Sequence, residues 1–96
     1  MSFSEEIYRH HDSIVSRRIE DEVILVPIRQ NVADLESIYT LSEVAAHIWE
    51  QIDGRRTTAE ILPLIVEEFE VSEEEAQKDL EEFMQQLSAI GAIARV

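Results

Sequence analysis

The side chains of this chain that are able to do chemistry begin near the N-terminus. His10-His11-Asp12-Ser13 sets imidazoles, a carboxylate and a hydroxyl side by side, the residue types of a base, an orienting acid and a nucleophile. Adjacent residues point in different directions, however, and residues 1–13 read as a polar lead-in with at most one helical turn and no scaffold. A solvated tail is the expectation. His47 lies among apolar neighbours with no second His four residues away, the pattern of a partly buried or surface helix histidine. Glu73-Glu74-Glu75 lacks the alternating oxygen ligands and central Gly of a calcium loop. Glu6 and His10, four apart, make two ligands and no site. There is no cysteine, hence no thiol nucleophile, disulfide framework or zinc ribbon. No catalytic residue, metal or cofactor is expected.

The chain has 96 residues, with 8 Lys+Arg against 21 Asp+Glu and a formal net charge of −13. So acidic a chain repels itself, and disorder is the first alternative to weigh. Ile, Val, Leu and Phe together number 30 of the 96 residues, well above the ~20% below which charged chains fail to bury a core. A single folded domain with an acidic surface follows. No apolar run approaches the ~18 residues of a membrane span, and MSFSEEIYRHH is not a basic-then-apolar signal segment, so cytoplasm is the default compartment.

Two regimes meet near residue 40. From Ile14 to Ile28 the pattern predicts a hairpin: Ile14-Val15 to Ile19, a charged turn at Glu20-Asp21-Glu22, and Val23 to Val26. The second strand is continuously apolar, which fits burial on both faces or an alternation blurred by one partly exposed residue. Pro27 cannot donate to a ladder and marks its end or an edge. A loop from Gln30 to Glu36 leads to a short third strand, Ser37-Ile38-Tyr39-Thr40-Leu41. Ser42 then caps a helix running to about Asp53, and Gly54 stops it. Thr57 with Glu60, and Ser72 with Glu75, have the capping-box spacing. They open helices that run to about Phe69, with a kink or irregular turn expected at Pro63, and to about Ile90. Gly91 ends the last helix, and Ala92 to Val96 reads as an extended segment.

Only Glu70-Val71 separates the second and third helices before the Ser72 cap, a link of helix-turn-helix length. The fold class is therefore α+β: a small winged helix-turn-helix-like domain, with an N-terminal three-stranded antiparallel sheet followed by three helices. DNA recognition does not follow. The span Glu67–Glu82 holds nine acidic residues and one basic, and carboxylates facing phosphate repel it. Peptide or protein binding fits better. The third strand, placed at a sheet edge, offers unpaired N–H and C=O groups and carries neither Lys nor Pro to blunt them. At ~100° per residue, Ala76, Leu80, Phe83, Met84, Leu87 and Ile90 occupy about 120° of the third helix. Ala76, Leu80 and Leu87 are core; Met84 on one margin, and Phe83 with Ile90 on the other, are either core or groove wall.

At this point the residues resemble a known family. Tyr39-Thr40-Leu41-Ser42-Glu43-Val44-Ala45-Ala46-His47-Ile48-Trp49-Glu50-Gln51-Ile52-Asp53-Gly54, then Thr57-Thr58-Ala59-Glu60-Ile61, is similar to the PqqD-like family. So is Asp79-Leu80-Glu81-Glu82-Phe83-Met84-Gln85-Gln86-Leu87 leading to Gly91-Ala92-Ile93. The resemblance covers roughly residues 17 to 95. It implies a precursor-peptide recognition element, which binds the leader of a ribosomally made precursor peptide and presents it to a modifying enzyme, often a radical S-adenosylmethionine protein. The leader adds to the third strand and packs on the third helix. Carried over, Ser37, Ile38, Tyr39, Thr40 and Leu41 become the backbone platform and Asp79, Phe83, Met84 and Gln86 the groove positions. The chain departs from the family pattern in having Ser42 where Asn is common, and in the connection Arg29 to Glu36.

The expected function is thus a non-catalytic peptide chaperone of natural-product biosynthesis, with residues 14–96 as the peptide-binding domain. The alternative is a winged-helix protein–protein interaction or regulatory module that never touches a leader. No nucleic acid or membrane partner is expected, and a homodimer through the third strand or an exchanged element stays open.

Overall fold

The computed structural model describes residues 5–28 and 38–96. In chain order its elements are β1 (Tyr8–His10), β2 (Ile14–Ile19), β3 (Glu22–Pro27), β4 (Tyr39–Leu41), α1 (Glu43–Gln51), α2 (Thr58–Phe69), α3 (Glu73–Ala89) and β5 (Ile93–Arg95). The architecture is the expected one, an antiparallel sheet in the order β2-β3-β4 followed by three helices. The sequence loop from Gln30 to Glu36 lies outside the described residues.

The β2–β3 hairpin turns at Glu20-Asp21, with Ile19 opposite Glu22 and Glu20 in the left-handed region at φ 58°. The apolar run of β3 resolves into an alternation. Val23 and Leu25 are 3% and 0% exposed on the inner face, whereas Ile24 and Val26 are half-buried on the outer one. Opposite the inner pair, β4 sets Leu41 against Val23 and Tyr39 against Leu25.

Each helix begins at the residue its side-chain chemistry marks. Ser42 Oγ accepts from the Ala45 N–H at 3.1 Å, opening α1. Around Thr57 both halves of a capping box form, Glu60 N–H donating to Thr57 Oγ1 and Thr57 N–H to Glu60 Oε1. Ser72 accepts from the Glu75 N–H and opens α3. The turn after α1 is tied by Asp53 Oδ1, which accepts from the N–H groups of Arg56 and Arg55 at 2.9 Å each. Those bonds, chiefly the one from Arg56, hold the Asp53 carboxyl below the ordinary carboxylate range. Gly54 sits at φ 79°, where a side chain is strained. Pro63 lies on the exposed side of α2, which runs unbroken from Thr58 to Phe69. The missing donor lies in the second turn of the helix, and no separate segment results. Leu25, Ile48, Ile61, Ile65, Leu80 and Leu87 form the fully buried centre where sheet and helices meet.

The N-terminal segment departs from expectation. From Tyr8 to His10 it is β1, antiparallel to β5, with Tyr8 opposite Arg95 and His10 opposite Ile93. Its other side is held too, because Gly54 N–H donates to the Tyr8 carbonyl and Thr58 N–H to the Glu6 carbonyl. His10 stacks on Trp49 of α1. Within the expected lead-in, Tyr8–His10 is thus a short strand that joins β5 to the α1–α2 turn.

Candidate functional site

The sheet has two edges, β2 and β4, and among the described residues each pairs only with β3; the edge that borders α3 is β4. Which of its backbone groups are free follows from the ladder. Ile28 N–H donates to the Ser13 carbonyl, so residues 28, 26, 24 and 22 of this extended stretch turn their backbone groups to β2. Val23 and Leu25 then face β4 and occupy the groups of Leu41 and Tyr39. Thr40 between them turns its N–H and C=O away from β3, toward the open edge.

Beside this edge runs a cleft of about 340 Å³ between β4 and α3. Tyr39, Thr40 and Leu41 form one wall, and Phe83, Gln86 and Ile90 the other. Leu25 and Leu87, 0% and 1% exposed, make its apolar floor. A second hollow of about 270 Å³ continues it, sharing Phe83 and Gln86. Its far end is acidic at Asp79 and Glu82, and the start of α1 closes it with Ser42, Val44 and Ala45. Along α3 the wall runs from Asp79 to Ile90, about 16 Å at 1.5 Å per residue. That length matches about five residues of extended chain.

The structure brings most of the expected site residues together. Tyr39, Thr40, Leu41, Asp79, Phe83 and Gln86 line the joined cleft. Ile38 does not; it precedes β4 and is 54% exposed, with the parity of Thr40. Ser37 lies outside the described residues. Met84, placed in the groove by the sequence reading, is 2% exposed, lines neither hollow and belongs to the core. The reason is helical phase. Asp79, Phe83, Gln86 and Ile90 follow a spacing of 4, 3 and 4 along one stripe, while Met84 continues the core stripe of Ala76 and Leu80. Ile90, which the sequence left open between core and groove wall, lines the cleft, whereas Val44 and Ala45 of α1 and Glu82 of α3 are lining positions it did not mark. For Ile90 the 4-3-4 spacing was the available signal.

The reactive residues do other work. The Ser13 N–H donates to His11 Nδ1 at 3.0 Å, which makes that nitrogen an acceptor and leaves the neutral ring's proton on Nε2. Ser13 Oγ lies 2.9 Å from His11 Nδ1, and its hydroxyl donates to the Gly91 carbonyl at 3.2 Å. The close His–Ser pair, not expected of adjacent residues in a tail, ties the turn before β2 to the end of α3. Asp12 is exposed and takes no part among the described contacts. His47 meets Phe69 edge-on with ring centroids 5.5 Å apart. Among the described residues no three His, Cys, Asp or Glu cluster as metal ligands do. Nor, among them, is any helix long and apolar enough to cross a membrane.

With this geometry in view, the chain was compared with known proteins. No curated protein sequence matches it. A solved structure described as TbiB1 in complex with the TbiA(beta) leader peptide is similar, with a TM-score of 0.74 and 25% sequence identity. The likeness covers 88% of this chain and 93% of that one. The family model for coenzyme PQQ synthesis protein D matches residues 22–93, from the first residue of β3 to the first of β5. That match takes in every residue of the cleft and three quarters of the chain, which belongs to the PqqD family.

Proposed function

We propose that the chain is a non-catalytic peptide-binding protein that takes the leader segment of a ribosomally made precursor peptide as an added strand on β4. The observation that carries this reading is the Thr40 backbone pair, turned to an open edge directly above an apolar cleft. Family membership supports it, as does the similar TbiB1 structure, which is a complex with a leader peptide. Main-chain bonds to Thr40 supply affinity without reading sequence. Specificity comes from alternate leader side chains that enter the cleft between Tyr39 and Ile90 and approach Gln86 and Asp79. Presentation of the bound leader to a modifying enzyme, such as the radical S-adenosylmethionine proteins that the family often serves, completes the proposed role. A homodimer that paired β4 with β4 would use the same Thr40 groups and compete with the leader.

The test is calorimetric titration with the leader peptide of a precursor encoded beside the chain. Thr40→Pro removes the free donor while leaving the Tyr39 and Leu41 bonds to β3 in place. It should weaken binding about tenfold or more, the loss of one main-chain bond left unmade in an interface. Thr40→Ala, which keeps the N–H, should bind nearly as the parent does. Equal affinity for the parent and Thr40→Pro contradicts strand addition.

A further inference from the structure

A second cleft lies apart from the one beside β4. It holds about 510 Å³ between α2 and α3. Leu62, Pro63, Val66 and Leu80 form its apolar base, and Glu67 and Glu73 stand at its rim. Glu73, Gln77 and Leu80 reach it from a flank of α3 that lies about 120° around the helix from the Asp79–Ile90 stripe, at ~100° per residue. The two clefts therefore share α3 and no lining residue, and both are open at once.

The surroundings of this second cleft are strongly one-signed. Residues 58–82 contain ten carboxylates and one lysine, Lys78. Six of the eight basic residues, Arg9, Arg17, Arg18, Arg55, Arg56 and Arg95, lie instead in the strands and the α1–α2 turn. The ion pairs of the described residues are Arg18–Glu50, Arg56–Asp53 and Arg95–Glu6, so none draws on Glu67 or Glu73. An apolar trough between uncompensated carboxylates is charge-complementary to one kind of occupant. That occupant is an aliphatic side chain carried between lysines or arginines. Nucleic acid is repelled by the same field.

We infer that the α2–α3 cleft is a docking site for a basic segment of a partner protein, whose aliphatic anchor fills the trough between Glu67 and Glu73 while β4 holds the leader. This deepens the proposed function by giving the modifying enzyme a place to bind that does not displace the peptide. It is tested apart from leader binding.

The probe is the capped hexapeptide Lys-Lys-Leu-Leu-Lys-Lys, titrated into the full isotope-labelled chain and followed by backbone NMR. Two further peptides replace the leucines by serine or the lysines by glutamate. The first peptide should give saturable shifts at Ala59, Leu62, Val66 and Gln77 and leave Tyr39–Leu41 unmoved. The serine peptide should bind about tenfold more weakly, and the glutamate peptide should give no shift. The double variant Glu67→Lys, Glu73→Lys alters two exposed positions and keeps the fold; it should lose about tenfold in affinity for the probe and none for the leader. Equal binding of the leucine and serine peptides, or unsaturated shifts spread over all the carboxylates, would overturn the inference as mere charge adsorption. Shifts centred on β4 would overturn it as binding at the first cleft. The leader titration of the parent chain is read at Thr40, so failure of the leader-binding reading appears there regardless of the probe.

Discussion

The imidazole of His10 lies flat on the indole of Trp49, with ring centroids 3.7 Å apart and planes within 4°. Its Nε2–H donates to the Trp49 carbonyl at 2.9 Å; a carbonyl only accepts, so the contact assigns the proton to Nε2. This joins β1 to α1 across 39 residues of sequence. Removing the ring in His10→Ala forfeits a stacked pair and one of two donors to the Trp49 carbonyl, which still accepts from the Ile52 N–H at 3.2 Å. It should cost about 1–2 kcal/mol. Trp49 is the only tryptophan, so urea unfolding followed by its fluorescence reads the loss directly.

Met84 and Ile90 separate stability from binding. Met84 is 2% exposed in the core, and Met84→Ala should destabilise the fold by about 2–5 kcal/mol while the folded fraction keeps its leader affinity. Ile90, half-buried at the apolar end of the cleft, should behave in the opposite way. Ile90→Glu should leave the thermal midpoint within a few degrees of the parent and weaken the leader about tenfold. Thermal unfolding and calorimetric titration of the two variants decide the assignment.

The β1–β5 junction carries a pH dependence at both ends of the scale. Tyr8 O–H donates to Glu6 Oε2 at 2.5 Å, and Arg95 Nη1–H donates to Glu6 Oε1 at 2.8 Å. Those bonds, the tyrosine's first, hold the Glu6 carboxyl below its ordinary value of 4.5. A lowered folded pKa adds stability above the ordinary value, and that stability disappears as pH falls through the folded one. Burial, and then the bond to Glu6, push Tyr8 from 10.0 up to about 12. A raised folded pKa has the reverse sign, so this contribution is intact below pH 10 and is lost as pH rises toward about 12. Glu6→Gln should flatten the acid limb of the stability profile, and Tyr8→Phe the alkaline limb. Chemical denaturation across the pH range measures both.

The Arg18–Glu50 contact joins β2 to α1, and its two side chains are 53% and 47% exposed. Solvent and side-chain entropy offset such a pair, so Glu50→Gln should change stability by less than about 0.5 kcal/mol. A larger loss in denaturant unfolding would mean that the pair organises the neighbouring His10–Trp49 stack.

What could be read from the residues and what could not have separate physical causes. Capping chemistry is local: Ser42, Thr57 and Ser72 each bond an N–H three residues on, and each helix starts beside the residue so marked. The hairpin was legible for the same reason, with a two-residue turn between apolar runs. β1 was not legible. It is three residues long and polar, and it exists because His10 meets Ile93, 83 positions away, and Trp49 from a helix between them. The side of α3 that lines the cleft was half legible. Phe83 and Met84 stand symmetrically about the core stripe, and only the placement of β4 on one flank and α2 on the other decides that Phe83 lines the cleft while Met84 is covered. Which β4 residue offers its backbone depended on register, which the β2–β3 bonds supply.

The most direct measurement of the central claim is amide hydrogen exchange at Thr40 with and without the leader peptide of a neighbouring precursor. Strand addition predicts that the Thr40 amide slows by about tenfold or more on saturation. Backbone shifts should accompany it at Phe83, Gln86 and Ile90, while the α2 residues Leu62 and Val66 stay unchanged. A leader that binds and leaves Thr40 exchange unaltered, or that perturbs only α2, would contradict the account.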